Sequence, residues 1–342
     1  MPKTGPEATT ASEAVPVAAA AASAPAAPVP AVSVLGQNQY GKAEVRVVRV
    51  VREGAVHHLR DLNVSIALSG DLEDVHLTGS NANCLPTDTM KNTVYVFAKE
   101  HGIASPEEFA THLARHFVTT QPGIHRARVR VEEYAWDRLT EPSGEQPGDG
   151  SAESPAENPA HSFARRGGET RLAEITYEDG RRQVISGLKG LTVLNTTDSE
   201  FHGFAKDPYT TLQETRDRIL ATEVSGRWRH TWTEDTGTAP DWDTSYRESR
   251  AHLLAAFAGT YSLSLQQTMY RMGSRIIEHR PEIAEVRLSL PNKHHFLVDL
   301  TPFGLGNDNE VYYAADRPYG LIEATILRTG HEARIPVDHS NL

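Results

Sequence analysis

Four short segments carry side chains that could do chemistry. Tyr40-Gly41-Lys42 brings an amine into an apolar strand pattern, and Leu85-Pro86-Thr87-Asp88-Thr89-Met90-Lys91-Asn92 places a hydroxyl and a carboxylate at a helix start. Phe201-His202-Gly203-Phe204 is followed by Leu212 and Arg218, and Leu290-Pro291-Asn292-Lys293-His294 adds an amide and an imidazole. Together they offer an aromatic face, a guanidinium fork, a histidine titrating near neutral pH, a lysine and a threonine, which is a kit for a planar ligand. The free N–H groups of a helix start also favour an anion. Each segment has an ordinary reading as well. Lys42 reads as an edge lysine that snorkels to water, and Thr87 with Asp88 as caps. The phenylalanines read as core leading into an amphipathic helix, and residues 290–294 as a turn between strands.

Other site types are set aside. His112 and His116 share a helix face but lack the glutamate of a metalloprotease motif. If on strands, the pairs His57-His58 and His294-His295 point to opposite faces, so neither chelates one ion. There is no Gly-rich phosphate loop and no nucleophile elbow. One cysteine, Cys84, excludes an intrachain disulfide framework and a cysteine zinc cage.

The elements that must position these residues follow from periodicity. Residues 40–53 and 57–70 alternate as two strands around Gly54, and 88–101 and 106–119 show helical spacing. In the second of these helices Phe109, Leu113 and Phe117 share a face behind the cap Ser105-Pro106. Residues 126–139 read as one strand. A hairpin turning at Asp179-Gly180 joins 170–178 to 182–196, and helices are predicted over 210–222, 243–258 and 263–279. Strands at 284–290, 295–300, 311–313 and 321–328 close the chain. Hairpin, helices and strands, met twice, predict an α+β fold of two tandem units, each with an antiparallel sheet carrying helices on one face. The other sheet face then needs a cover, and closing the sheets into a barrel by oligomerisation supplies one.

Of the 342 residues, 39% are hydrophobic and 23% charged, with a net charge of −11. This composition gives ordinary globular cores and lacks the clustered basic face that a nucleic-acid binder needs. No apolar run reaches the ~18 residues of a membrane span. A soluble protein of a reducing compartment is expected. Residues 1–34 hold 12 Ala and 6 Pro and no aromatic residue, and read as a disordered arm. Residues 140–160 hold five acids, no base and seven Gly or Pro, and read as a mobile loop. The expected division is an arm over 1–37, a first unit over 38–167, a second over 168–330 and a tail over 331–342.

The residues also carry a resemblance. Tyr40-Gly41-Lys42, Thr87-Asp88-Thr89-Met90-Lys91-Asn92-Thr93, His161-Ser162-Phe163 and Gly190-Leu191-Thr192-Val193-Leu194 are marks of the urate oxidase (uricase) family. So are Phe201, Phe204, Tyr209, Leu212 and Arg218, then Ser264-Leu265-Gln266 and Pro291-Asn292-Lys293-His294, in the family's order over nearly all of residues 38–330.

The resemblance implies the tunnelling fold, with two β-β-α-α-β-β units per chain and a homotetramer whose sheets close into a barrel. It implies oxidation of urate by O2 and water to 5-hydroxyisourate and hydrogen peroxide without metal or organic cofactor. In that reading Lys42 and Thr87 form the base pair, and His294 relays the proton. Asn292, with Thr87, holds O2 and then water or peroxide. Phe201 stacks on the purine, Arg218 pairs with one edge and Gln266 reads the other. The backbone N–H groups of Thr87, Asp88 and Leu265 complete the contacts, and the Thr-Asp element comes from a neighbouring subunit. No nucleic acid and no membrane is expected as a partner.

Asn195 stands where the family often has lysine, and Leu265 where valine is commoner. The chain ends Ser340-Asn341-Leu342 rather than Ser-Lys-Leu, so cytoplasm is expected, with peroxisome as the alternative. Two other functions fit the same pocket: a purine-binding module without turnover, and a pterin-pathway enzyme of the same fold, which would need a histidine zinc site.

Overall fold

The structure is a computed structural model that describes residues 33–139, 160–234 and 239–338, without the Asp316 side chain. Most of the arm and nearly all of the acidic loop, for which disorder is expected, lie outside these residues, as does the chain end. The first strands are β1 (Tyr40–Glu53) and β2 (Val56–Gly70), followed by the short α1 (Glu73–Leu77), α2 (Thr87–Glu100) and α3 (Pro106–Thr120). Then come β3 (Ile124–Glu133), β4 (Trp136–Arg138), β5 (Phe163–Arg165), β6 (Thr170–Glu178), β7 (Arg181–Asn195) and β8 (Leu220–His230). The chain continues through α4 (Trp242–Gly259), α5 (Leu265–His279), β9 (Ile283–Leu297) and β10 (Tyr312–Leu327).

Eight strands form one antiparallel sheet in the order β1-β2-β3-β6-β7-β8-β9-β10, while β4 and β5 pair separately. The main series is ββααββ met twice, β1-β2-α2-α3-β3-β6 and β7-β8-α4-α5-β9-β10. The join between them falls at the Asp179-Gly180 turn, where both residues have positive φ. A division at 167/168 would put β6 in the second unit; by element order it groups with the first.

Local chemistry explains the helices. The Ser105 hydroxyl accepts from the Glu108 N–H (3.1 Å) ahead of Pro106, and Asp241 and Ser264 cap α4 and α5 in the same way. Phe109, Leu113 and Phe117 are buried, as their spacing predicts, in a core with Val129, Ile175 and Met90. A second core under α4 and α5 centres on Trp228, Leu253, Met272 and Leu288. The helix-free face is polar. Arg130–Glu174 (3.4 Å), Arg287–Glu323 (3.0 Å) and Lys293–Glu223 (2.7 Å) pair across neighbouring strands there.

Three expectations are corrected. Residues 210–222 are not a helix: the segment before Leu220 is a loop, and β8 follows it. Within 210–222 the apolar residues Leu212, Ile219 and Leu220 fall seven and eight apart, which imitates a helical period, whereas the inward side of β8 is Leu220, Thr222, Val224, Gly226 and Trp228. Residues 290–294 are not a turn. They run through the middle of β9, where Pro291 falls between the Thr222–Asn292 and Ser225–Ser289 pairs of the β8–β9 ladder and lies opposite Leu321 of β10. The strand predicted over 126–139 is two, because after Glu133 the Tyr134 N–H turns to the Asp61 carbonyl (2.9 Å) and β4 leaves the main sheet.

A buried polar network joins the two units. Arg171 on β6 pairs with Glu107 (2.7 Å), Asp243 (2.6 Å) and Glu133 (3.3 Å). The Ser186 hydroxyl on β7 donates to Glu107 (2.7 Å) and lies 3.0 Å from His230 Nε2. Burial pushes the Glu107 carboxyl up, and Arg171 and Ser186 pull it back. Burial pushes the His230 imidazole down to about 4.

Candidate active site

The site residues expected from the sequence fall into two groups at opposite ends of the sheet. The first surrounds β1 and α2. Gly41 and Lys42 pair with Ala67 and Ile66 of β2, just before a register shift that ends at Val45. The strands approach so closely that a Cβ on Gly41 would lie 1.8 Å from the Ile66 carbonyl oxygen, which fixes glycine beside the half-buried Lys42. Thr87 and Asp88 are the first two residues of α2. The residue before them is Pro86 and no side chain caps this helix, so its first N–H groups stay available to a ligand. Asp88 bonds Lys91 and accepts from Asn92 (3.1 Å). Its carboxyl is held below the usual range by Lys91 above all, with Asn92 and the Lys42 ammonium adding to the effect.

The second group lines an open cavity of ≈ 810 Å³ that gathers Phe201, Arg218, Leu265, Gln266, Asn292 and His294. The loop between β7 and β8 supplies Phe201, which bridges to Thr215 and stacks on Phe204 (5.0 Å, 14°). Arg218, at the end of that loop, lies over the Phe201 ring at 5.2 Å from its centroid. Its Nε donates to the Ser199 hydroxyl (3.2 Å), and burial pushes the guanidinium down. Leu265 and Gln266 open α5 behind the Ser264 cap. Asn292 sits between Thr222 of β8 and Gly320 of β10, with His294 two residues on. Burial, then Arg218, then His295 hold the His294 imidazole below its ordinary value.

The cavity therefore joins a π face, a guanidinium, an imidazole, two amides and a helix start, all suited to a planar, anionic, polar-edged ligand. Lys42, Thr87 and Asp88 are not part of it. From β1 to β9 is six strand spacings, about 29 Å along the sheet. Ser199 is a site residue that sequence reasoning missed; it sits in a polar stretch with no periodicity to mark it. His202, in the aromatic segment, turns instead to Glu200 (2.7 Å). His112 and His116 pack against His101 and Phe97. Among the described residues no group of three or more His, Cys, Asp or Glu could hold a metal ion, and no helix is long and apolar enough to cross a membrane.

Comparison with known proteins gives one answer. A family profile described as Uricase matches residues 38–176 and 184–323. The uricase of Arthrobacter globiformis is 51% identical over 304 residues, covering 89% of this chain and 93% of that one. The uricase of Oryctolagus cuniculus is 37% identical over 295 residues, covering 84% and 93%. Among solved structures, the crystal structure of the Arthrobacter globiformis uricase superposes with a TM-score of 0.80 at 50% identity, covering 89% of this chain and 98% of that chain. A urate oxidase from Bacillus sp. TB-90, at 23% identity and a TM-score of 0.69, shares the fold.

Proposed function

The chain belongs to the uricase family and oxidises urate, and on that premise we propose how its own residues carry out the reaction. Urate, O2 and water give 5-hydroxyisourate and hydrogen peroxide, with no metal or organic cofactor. The observation that carries this reading is the cavity itself, in which Phe201, Arg218, Gln266, Asn292 and His294 converge from four separated stretches of chain.

Urate is a flat anion. Phe201 stacks on its face, Arg218 forms a bidentate pair with one edge, and the Gln266 amide reads the other. The charged bonds contribute roughly 1.5–3 kcal/mol each and the stacking about 0.5–1.5 kcal/mol beyond area. Taking a second proton from the bound anion makes it electron-rich enough to reduce O2, so a placed base stands in for a cofactor. Lys42 accepts the Thr87 hydroxyl proton, Thr87 takes the urate proton, and His294 relays protons onward. The half-buried His294 imidazole, held below its ordinary value, is neutral near pH 7 and so free to receive a proton and pass it on. Asn292, with Thr87, holds O2 over the ring and afterwards water or peroxide. The N–H groups of Thr87, Asp88 and Leu265 add fixed donors.

Lys42 and Thr87 reach the cavity in a homotetramer, where β1 and α2 of one chain face the β8–β10 end of another. The sheet has two open edges, β1 and β10, and exposes Val48, Val50, Tyr313 and Tyr319 along them, as strands awaiting partners do. The test is a urate-dependent assay on chelator-treated protein paired with the native mass. Urate and O2 should disappear and peroxide appear in equal amounts, from a species of four chains. Activity restored only by added metal would overturn the cofactor-free reaction. Tight urate binding without peroxide would leave a purine-binding module.

A further inference from the structure

We propose that Ser199 is a positioning residue that fixes the Arg218 fork, and that a buried backbone bridge with its hydroxyls ties this fork to the helix bearing Gln266. The inference rests on the urate-binding reading given above and names a residue acting through Arg218. Arg218 makes no ion pair to a carboxylate among the described residues, and the Ser199 hydroxyl is its hydrogen-bond partner, accepting from Nε (3.2 Å). Using Nε in this way leaves the two terminal nitrogens for a ligand edge, and it removes the rotation that a half-buried arginine otherwise keeps.

Ser199 is 0% exposed, and it is anchored in turn. It bridges to Ser262 as a parallel pair, with the Ser262 N–H donating to the Asp198 carbonyl and the Glu200 N–H to the Ser262 carbonyl, both 2.8 Å. The Thr268 hydroxyl of α5 donates to the Ser262 hydroxyl (2.8 Å), which in turn donates to the Ser264 carbonyl (3.1 Å). Ser264 caps the helix whose second residue is Gln266. Ser262 and Thr268 are also 0% exposed. Fully buried hydroxyls are costly unless paired. The Ser199 hydroxyl is paired with Arg218, and those of Ser262 and Thr268 with each other. The backbone bonds between residues 198–200 and Ser262 join the two into one line from the guanidinium to the helix start. The line sets the gap between the group holding one ligand edge and the group reading the other.

The experiment compares Ser199→Ala in the wild-type and Arg218→Lys backgrounds. Lysine keeps the charge but has no Nε to anchor. With Arg218 present, Ser199→Ala should raise KM for urate roughly tenfold and weaken binding of xanthine, a purine lacking one oxo group of urate, by a similar factor. The kcat should change less than about twofold, with Tm nearly unmoved. In the Arg218→Lys background the same substitution should add nothing to KM, because the two positions act as one. An unchanged KM in the single variant would overturn the proposal. So would a KM increase that persists in the Arg218→Lys background, or a kcat loss that tracks a falling Tm. Wild-type protein that fails to oxidise urate would instead remove the functional reading itself.

Discussion

The Arg218 guanidinium lies over the ring of Phe201, 5.2 Å from its centroid, with the ring stacked on Phe204 on a loop between two strands. An apolar plane and a charged fork are thereby fixed at one corner of the cavity before any ligand arrives. In the proposed reading these two groups are the main sources of affinity for a flat anion. Arg218→Ala should raise KM for urate by roughly 10- to 100-fold, the cost of losing a charged bidentate contact. Phe201→Ala should raise it less, through lost stacking and area. Steady-state kinetics checks both, and a kcat loss with KM unchanged would assign Arg218 to chemistry instead of binding.

Lys42 is expected to behave in the opposite way. Lys42→Met keeps the length of the side chain and removes the proposed base. The kcat should fall by roughly 10²- to 10⁴-fold, with KM for urate changed little. The remaining activity of His294 variants supplies the pH arm. The His294 imidazole titrates below its ordinary value because it is partly buried and faces Arg218 and then His295. Wild-type kcat should therefore hold through neutral pH and decline only as acid protonates this histidine, and a His294→Gln variant should lack that limb. A limb of unchanged shape in the variant would place the titration elsewhere.

The network between the two units makes a prediction for stability. His230 has a folded value of about 4 against an unfolded value near 6.5, so in that interval the unfolded chain binds more protons than the folded one. Its contribution is intact above pH ~6.5 and is lost as pH falls toward 4, to a limit of about 3 kcal/mol. Chemical denaturation at pH 7 and pH 4.5 should show that loss in the wild type. His230→Gln should shrink the difference between the two pH values while lowering stability at pH 7. An equal difference in both proteins would mean that other groups govern acid stability.

How far the sequence reveals this molecule is clear from particular elements. The β1–β2 and β6–β7 hairpins and α2, α3 and α5 lie within a residue or two of their expected bounds, because alternation, caps and a 3.6-residue period are local signals. β8 is hidden because Thr222 and Gly226 occupy inward positions that a pattern search scores as polar or neutral. Pro291 suggests a turn because a proline inside a strand pattern reads as a breaker, and the pairing of β9 on both sides is not visible in the sequence. Phe201, Arg218, Leu265, Gln266, Asn292 and His294 are named from the sequence and share one cavity, yet only the fold shows them to be neighbours. Ser199 could not be found that way. Its meaning comes from one hydrogen bond to a residue 19 positions away.

The separation of Lys42 from the cavity, about 29 Å along the sheet, makes a shared site the central claim. It is tested most directly by mixing subunits. Lys42→Met and Arg218→Ala chains should each be nearly inactive as pure proteins. If the site is built from two chains, co-assembly in equal amounts joins an intact Lys42 side to an intact Arg218 side in about a quarter of the sites by random pairing. The mixture should then recover up to about a quarter of wild-type kcat. A mixture no more active than the mean of its two components, with mixed oligomers confirmed by native mass, would show that each chain completes its own site and would contradict the account.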